Sequence, residues 1–464
     1  MDLGFQTIGN ATLLCYDQGP VLATDPWLIG NPYFGSWTFS HAIPDEQMEA
    51  VRGCRYLWIS HGHPDHLSIE TLNIFTDKTL LVPDHVGGRI AQDLRGQGFN
   101  VVVLKDATWT PLSPRIHVLS IADYNQDGLL LVDVGGTLIV NLNDGSGCGW
   151  ESFLKSTIRR YRRSFLLRLF GRGDADMMNF VDEAGKRLET LAAEQYAIGP
   201  WIAERASALG VNNVIPFSSF HRYQRSDTTW ANQYGVGVDE YKVGFTSSTC
   251  VLHPPFVSYD CGKDDLWEIH PPETPHVVVD PKAFGDDWDE PLHPGDRDTL
   301  KTYFRAIKHL DHVVDFINFR IGGQDNVIEF SGTQKRNHKG IRFETPRHSL
   351  MQAIEYECFD DLLIGNFMKT CVIGKWPQST SSPLYPDFTP YVAKYGDNGR
   401  AKSSKELKQY FREYQKRAPR LDYLHHYAET WAADTFRKHV SRDSLAYQST
   451  KFVVKTMLRL RPTK

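Results

Sequence analysis

Residues 60–68 read Ser-His-Gly-His-Pro-Asp-His-Leu-Ser, which places His61, His63, Asp65 and His66 within six positions. Imidazole and carboxylate are the groups that zinc, iron and manganese take as ligands. The preceding run Arg55-Tyr56-Leu57-Trp58-Ile59-Ser60 is apolar and β-prone, and Gly62 and Pro64 punctuate the nonapeptide itself. The pattern therefore predicts a loop at a strand end. Such a loop folds ligands two residues apart toward one point, and the adjacent Asp65 and His66 toward a second. The plain alternative is a polar loop with incidental histidines, and four ligand-type side chains packed this closely weigh against it.

A chain of 464 residues exceeds one ordinary domain, so one large or two moderate domains are expected. Hydrophobic content of 41% and charged content of 23% are globular values. A net charge of −5 argues against a general nucleic-acid binder. The seven cysteines are dispersed and form no Cys-x-x-Cys pair, so neither a zinc ribbon nor an iron–sulfur cluster of that kind is suggested. An odd, scattered set suits a reducing compartment. The N-terminus shows no basic region followed by an apolar core, and no stretch reads as a bilayer span. The expected location is cytoplasmic.

Residues 1 to 150 alternate short β-type runs with turns. Examples are Thr79–Pro83, Asn100–Leu104, Gly128–Asp133 and Thr137–Asn141. Within residues 150–172, Ile158, Tyr161, Phe165 and Leu169 fall at helical spacing, with Arg159, Arg160, Arg162 and Arg163 crowded beside them. That predicts a helix with a basic side. It is read as a docked helix, as a lid over an anionic substrate, or as an amphipathic helix on lipid head groups, the last implying peripheral membrane contact. Residues 181–209 read as helical, Val214–Phe217 as a strand, and 262–300 as an acidic, Pro-rich exposed connector. Further on, Val327–Phe330 and Gly340–Phe343 read as strands, Phe359–Phe367 as the start of a helix and Ser403–Val440 as helical, with a basic tail over 451–464.

The nonapeptide resembles the His-x-His-x-Asp-His signature of the metallo-β-lactamase superfamily. Asn10–Cys15 and Gly19-Pro-Val-Leu-Ala-Thr-Asp25-Pro-Trp-Leu28 are similar to the family's opening hairpin and first acidic motif. The resemblance implies an α/β fold, a four-layer αββα sandwich, over residues 1–262. Residues 263–464 then form an α+β extension packed on it. It implies two divalent metal ions, zinc or iron with manganese as a further option. His61 and His63 would bind one ion and Asp65 and His66 the other. Asp144, in Asn143-Asp144-Gly145, matches the bridging aspartate, and Asp25 would brace the ligand loop rather than bind metal. Where the family often has a third histidine this chain has Asp123, so the first site takes a carboxylate there or is weak. His221, in Ile215-Pro-Phe-Ser-Ser-Phe-His221, is the candidate last ligand. Binding substrate and packing beside Tyr223 are its other readings.

Within the superfamily, the chain is similar to the metallo-β-lactamase-like part of CMP-N-acetylneuraminate hydroxylases. The similar segments are Asp25–Leu28, Ile59–Ser68, Pro216–Phe220 and Phe359-Asp-Asp-Leu-Leu-Ile-Gly365. The Rieske domain of those enzymes needs a Cys-x-His pair and a Cys-x-x-His pair. This chain has only Cys250-Val-Leu-His253.

The leading expectation is a metal-dependent hydrolase of an ester, lactone or phosphodiester, with metal-activated water and Asp65 or Asp144 orienting or deprotonating it. A small anionic substrate would be held by Arg222, Arg225, Arg159 and Arg163. The alternative is a non-heme diiron oxygenase served by an external electron donor. A third reading, a decayed metal fold kept as a scaffold, fits poorly with an intact ligand loop.

Overall fold

The computed structural model describes residues 1–123, 127–145, 147, 149–170, 177–188, 197–218, 220–330, 338–376, 383–394, 400–424 and 428. Alternation along the strands explains the layering. In Thr12–Asp17, Leu13 and Cys15 point into one buried cluster while Leu14 enters another. In Gly128–Val134, Leu130, Val132 and Val134 share the first of these clusters, and Leu129 and Leu131 face the opposite way. Strands buried on both faces read as unbroken apolar runs, and each must be covered twice.

The double cover produces four layers. An eight-stranded sheet runs, in spatial order, through Asp265–Glu268, Val257–Asp260, Leu3–Ile8, Thr12–Asp17, Pro20–Thr24, Tyr56–Trp58, Thr79–Pro83 and Asn100–Leu104. A seven-stranded sheet runs through Val251–Leu252, Asn213–Pro216, Arg163–Arg168, Thr137–Asn143, Gly128–Val134, Ile116–Ala122 and Trp109–Pro111. Phe5, Trp58, Val132, Ile139, Phe165 and Ile215 pack between the two sheets. The helices Asp45–Gly53 and Arg89–Gly96 cover the outer face of the first sheet through Val51, Ile90 and Leu94. Glu151–Ile158 and Gly199–Leu209 cover the second through Leu154, Ile158, Ile202 and Ala206. The order is αββα, as the sequence resemblance implied.

A third, five-stranded sheet runs through Phe180–Val181, Lys369–Ile373, Gly340–Glu344, Phe316–Ile321 and Gln324–Glu329. The helices Asp296–Ala306, Arg347–Glu355 and Phe359–Ile364 pack on it through Leu300, Phe304, Leu350 and Phe359. The strand topology does not divide at residue 262. The hairpin 257–268 carries the first sheet across that position, and Phe180–Val181 pairs into the third sheet.

Several sequence expectations need correction. The helix read over 150–172 ends at Ile158, and Arg163–Arg168 is an interior strand, parallel to its neighbours on both sides. Ser164, Phe165, Leu166 and Leu167 are all buried, and an apolar run this short fits either period. Among the described residues no basic helix runs there, so the lid and lipid-surface readings lose their element. Over 181–209, the described helix starts only at Gly199, and 189–196 lie outside the described residues. The expected connector 262–300 holds a strand, a short 3₁₀ turn at Pro281–Phe284 and a helix start. Ser404–Arg417 is helical, capped by Ser403 with Glu406, whereas the basic tail lies outside the described residues. No helix among the described residues is long and apolar enough to cross a membrane.

Candidate metal centre

The centre lies where parallel strands of both facing sheets end. Pro20–Thr24, Tyr56–Trp58 and Thr79–Pro83 are parallel, and their ends lead into Asp25, His61 and His85. Thr137–Asn143, Arg163–Arg168 and Asn213–Pro216 are parallel too, and lead into Asp144 and Ser218. Carboxyl ends of parallel strands are where α/β folds leave a crevice with side chains free to converge. Asp25, Asn143 and Ser218 all have positive φ (41°, 50° and 69°), as do Tyr33 and Asn366 nearby. Backbone strain of this kind persists only where surrounding contacts enforce it, and it concentrates at functional sites.

His66 stands at the middle of the first group and is fully buried. Its Nε2 lies 3.3 Å from Asp144 Oδ2 and 3.2 Å from Asp65 Oδ2, and its Nδ1 lies 3.3 Å from Asp25 Oδ2. His61 Nε2 lies 3.8 Å from the same Asp144 oxygen. Ligand atoms of His61, His66 and Asp144 all fall within 4.8 Å of one another. Two ligands each about 2.1 Å from a tetrahedral ion sit roughly 3.4 Å apart, so this donor set fits a divalent metal.

The support behind these groups is dense. Asp25 Oδ1 accepts from Ser60 N at 2.7 Å, while its Oδ2 accepts from Asn143 Nδ2 at 2.8 Å. Asn143 Nδ2 also reaches Ser60 Oγ at 2.9 Å, and Ser60 Oγ lies 2.9 Å from His61 Nδ1. Tyr33 OH donates to Asp65 Oδ1 at 2.6 Å and Asn10 Nδ2 to Asp65 Oδ2 at 3.0 Å. Ser218 Oγ donates to Asp144 Oδ1 at 2.6 Å. Asp144, with 21% of its side chain accessible, is the open member of the group.

Burial and charge push the two imidazoles apart. Burial, together with the neighbouring His66 and His63, holds His61 well below the usual histidine range. Burial would lower His66 as well, but the charges of Asp65 and Asp144 and the bonds to Asp144 and Asp25 lift it well above that range. Burial opposes ionisation of Asp65. The charge of His66 and the bonds from His66 and Tyr33 outweigh it and hold this carboxyl low. The carboxylates of Asp25, Asp65 and Asp144 thus surround the His66 ring, a concentration of negative charge that suits a cation.

His63 belongs to a second group. Its Nδ1 is 2.9 Å from His61 Nε2, and its Nε2 turns away to 3.5 Å from Asp360 Oδ2. Ligand atoms of His63, Asp360 and Asp361 fall within 4.8 Å of one another. Both aspartates sit in the first turn of the helix Phe359–Ile364, far along the chain. Sequence reasoning read this segment as a helix start and gave the aspartates no role. The similarity of Phe359–Gly365 to the hydroxylases marks the segment but assigns neither aspartate a role.

Other expected site residues lie elsewhere. Asp123 is buried at the end of Ile116–Ala122, next to a stretch outside the described residues, and it joins neither group. His221 stacks on Trp37, with ring centroids 3.4 Å apart and planes within 3°, and also joins neither group. Its ring also lies edge-on to Tyr223, with centroids 5.3 Å apart. Arg225 is fully buried and bonded to Asp227 at 2.8 Å and Asp286 at 2.6 Å, so it is a structural group rather than a substrate ligand. Arg222 bonds Glu273 and the Thr274 carbonyl. Arg163 bonds Asp264, and Arg159 is an exposed residue just past the helix Glu151–Ile158.

No protein-family model matches this chain. Over 133 residues the chain is 26% identical to the cytidine monophosphate-N-acetylneuraminic acid hydroxylase of Asterias rubens, and over 129 residues 28% identical to that of Sus scrofa. These stretches cover 27% and 26% of this chain, and the match spans only 20% and 30% of the length of those relatives. Among solved structures, a single-site mutant of the CmlA beta-hydroxylase is similar over 47% of this chain and 46% of its own, at 16% identity and a TM-score of 0.31. The metallo-beta-lactamase fold protein YhfI from Bacillus subtilis is similar over 56% of this chain and 99% of its own, at 10% identity and a TM-score of 0.33. Superpositions this partial add nothing to the layer order, which the three buried clusters of the sandwich establish directly.

Proposed function

Starting from a metallo-β-lactamase-type sandwich that gathers imidazoles and carboxylates at one mouth, we propose that the protein is a metal-dependent hydrolase acting on an ester, lactone or phosphodiester. The convergence of His61, His66 and the accessible Asp144 carries this reading. A divalent ion bound there would act as a Lewis acid and bring a bound water's pKa toward neutrality. Asp25 and Asn143 fix the ring of His66 so that its Nε2 faces the cleft. Both oxygens of Asp65 accept hydrogen bonds. Asp144 anchors one oxygen on Ser218 and turns the other toward the imidazoles, where it would help hold the ion. Either carboxylate would orient an attacking water or receive its proton.

Arg222, Arg225 and Arg163 are engaged with carboxylates, so attraction of an anionic substrate would come from the charge of an ion held at the cluster. Elemental analysis of protein purified without chelator, followed by a screen of phosphodiesters and lactones, tests the reading. Zinc-dependent hydrolysis is the expected outcome, and protein that binds no divalent ion overturns it.

A second reading, oxygen chemistry at two irons with an external electron donor, is favoured by the two extra carboxylates beside His63 and by the partial similarity to hydroxylases. Iron in the purified protein together with reductant-dependent oxygen consumption would select it over hydrolysis.

A further inference from the structure

We propose that Tyr33 is a positioning residue of the metal centre: a strained left-handed turn delivers its phenol to Asp65 and holds that carboxylate toward the ion. The proposal rests on the reading above that the strand-end cluster binds a divalent ion, and it adds a residue from outside the ligand loop. Tyr33 OH donates to Asp65 Oδ1 at 2.6 Å, and the tyrosine is 3% exposed. Asp65 Oδ2 lies 3.2 Å from His66 Nε2, close to the spacing of two ligands on one ion. With one oxygen held by the phenol, the other keeps a fixed direction toward His66. Asn10 Nδ2 also donates to Oδ2, at 3.0 Å, and a carboxylate oxygen has a second lone pair for an ion.

The backbone commits many contacts to this placement. Tyr33 has φ 54° and ψ 53°, Phe34 has φ 57° and ψ 40°, and Gly35 has φ 80°. Successive left-handed residues are rare, because each Cβ comes too close to the following carbonyl oxygen. Glycine is required at 35, where a Cβ would lie 2.3 Å from the Phe284 ring. Such a conformation persists only where its surroundings enforce it. Here the carbonyls of Phe34, Gly35 and Ser36 accept in turn from Arg225 Nη1 at 2.9 Å, Gln224 Nε2 at 3.0 Å and Gln224 N at 2.9 Å. Ser36 Oγ donates to the Gly365 carbonyl at 2.6 Å. The Tyr33 ring leans on Trp37, with centroids 4.4 Å apart. Turn, ring packing and hydroxyl converge on one carboxylate of the ligand loop.

The test is titration of metal-stripped, full-length protein with Co2+, followed by visible absorption, in wild type and Tyr33→Phe. The substitution removes one oxygen and keeps the ring against Trp37. Tyr33→Phe should bind Co2+ about 10–100-fold more weakly and shift the ligand-field bands of the bound ion. The band shift is the readout that a loss of stability alone does not produce. Wild-type bands in Tyr33→Phe overturn the proposal, whether or not affinity falls. A wild type that binds no Co2+ overturns the proposed function itself, so the two failures are distinguishable. Should Tyr33→Phe not fold, a crystal structure of the Co2+-loaded wild type carries the test. Tyr33 OH must then bond one Asp65 oxygen while the other meets the ion. An Asp65 clear of the ion, or a Tyr33 OH bound to the ion itself, overturns the proposal.

Discussion

His61, His66 and Asp144 stand on loops of the sandwich, and nearly every polar atom behind them belongs to another strand end of the same two sheets. His63 faces Asp360 and Asp361, which arrive on a helix packed against a third sheet. The first group is braced by short bonds from Asp25, Ser60, Asn143 and Ser218. The second depends on how the C-terminal region docks, and one Asp360 oxygen still lacks a protein partner among the described residues. The difference separates a preorganised half from a half completed by docking. Preorganisation raises affinity by removing the cost of ordering ligands, so the two halves should respond differently to perturbation.

The largest expected effect comes from cutting both halves at once. A His63→Ala/His66→Ala variant should lose all bound metal as measured by elemental analysis, and normal metal retention would contradict the site assignment. Next is the contact that joins the regions. Arg225 is fully buried, donates to Asp286 at 2.6 Å and to the Phe34 carbonyl at 2.9 Å, and Asp286 in turn accepts from Ser349 N and Oγ. Removing one partner of such a pair costs about 3–5 kcal/mol, because the other charge stays buried. Arg225→Met should therefore lower the thermal midpoint. An unchanged midpoint would contradict that role for Arg225.

The bracing of the preorganised half gives a smaller, cleaner effect. Asn143→Ala removes the donor shared by Asp25 and Ser60, and loss of such a supporting bond costs roughly 10–100-fold in metal affinity. Calorimetric titration should show that loss in one binding event only.

The smallest effect concerns acid sensitivity that neither half owns. Burial pushes His253 down to about 4, aided by Arg163, and burial does the same to His85, whose partial compensation is its bond to the Ser60 carbonyl. A depressed histidine stays neutral in the fold while the unfolded chain takes up a proton below about 6.5, so stability is lost as pH falls from about 6.5 toward 4. His253→Gln should make the fall of thermal midpoint with acidification shallower. An unchanged slope would show that His253 does not contribute to this sensitivity.

The sandwich half was legible in the sequence for physical reasons. Short β runs bounded by turns carry a strong local signal, and Thr79–Pro83 and Asn100–Leu104 form strands with the expected bounds. The ligand loop was legible because its residue types are improbable together unless something binds them. Where local signals were ambiguous, the reading failed. Residues 164–167 are buried on both faces of their strand, so helical spacing at 158, 161, 165 and 169 was coincidental. Arginine clusters look alike on a sequence whether they face ligand or carboxylate, and Arg225, Arg222 and Arg163 all face carboxylates. Asp360 and Asp361 meet His63 from a distant part of the chain, a contact that only the docking of the third sheet creates and that no local pattern encodes.

The most direct test is a crystal structure of the metal-loaded, full-length protein with anomalous diffraction collected at the metal edge. The account predicts anomalous peaks at the strand-end cluster of His61, His66 and Asp144. Loaded crystals with no peak at that cluster would contradict it.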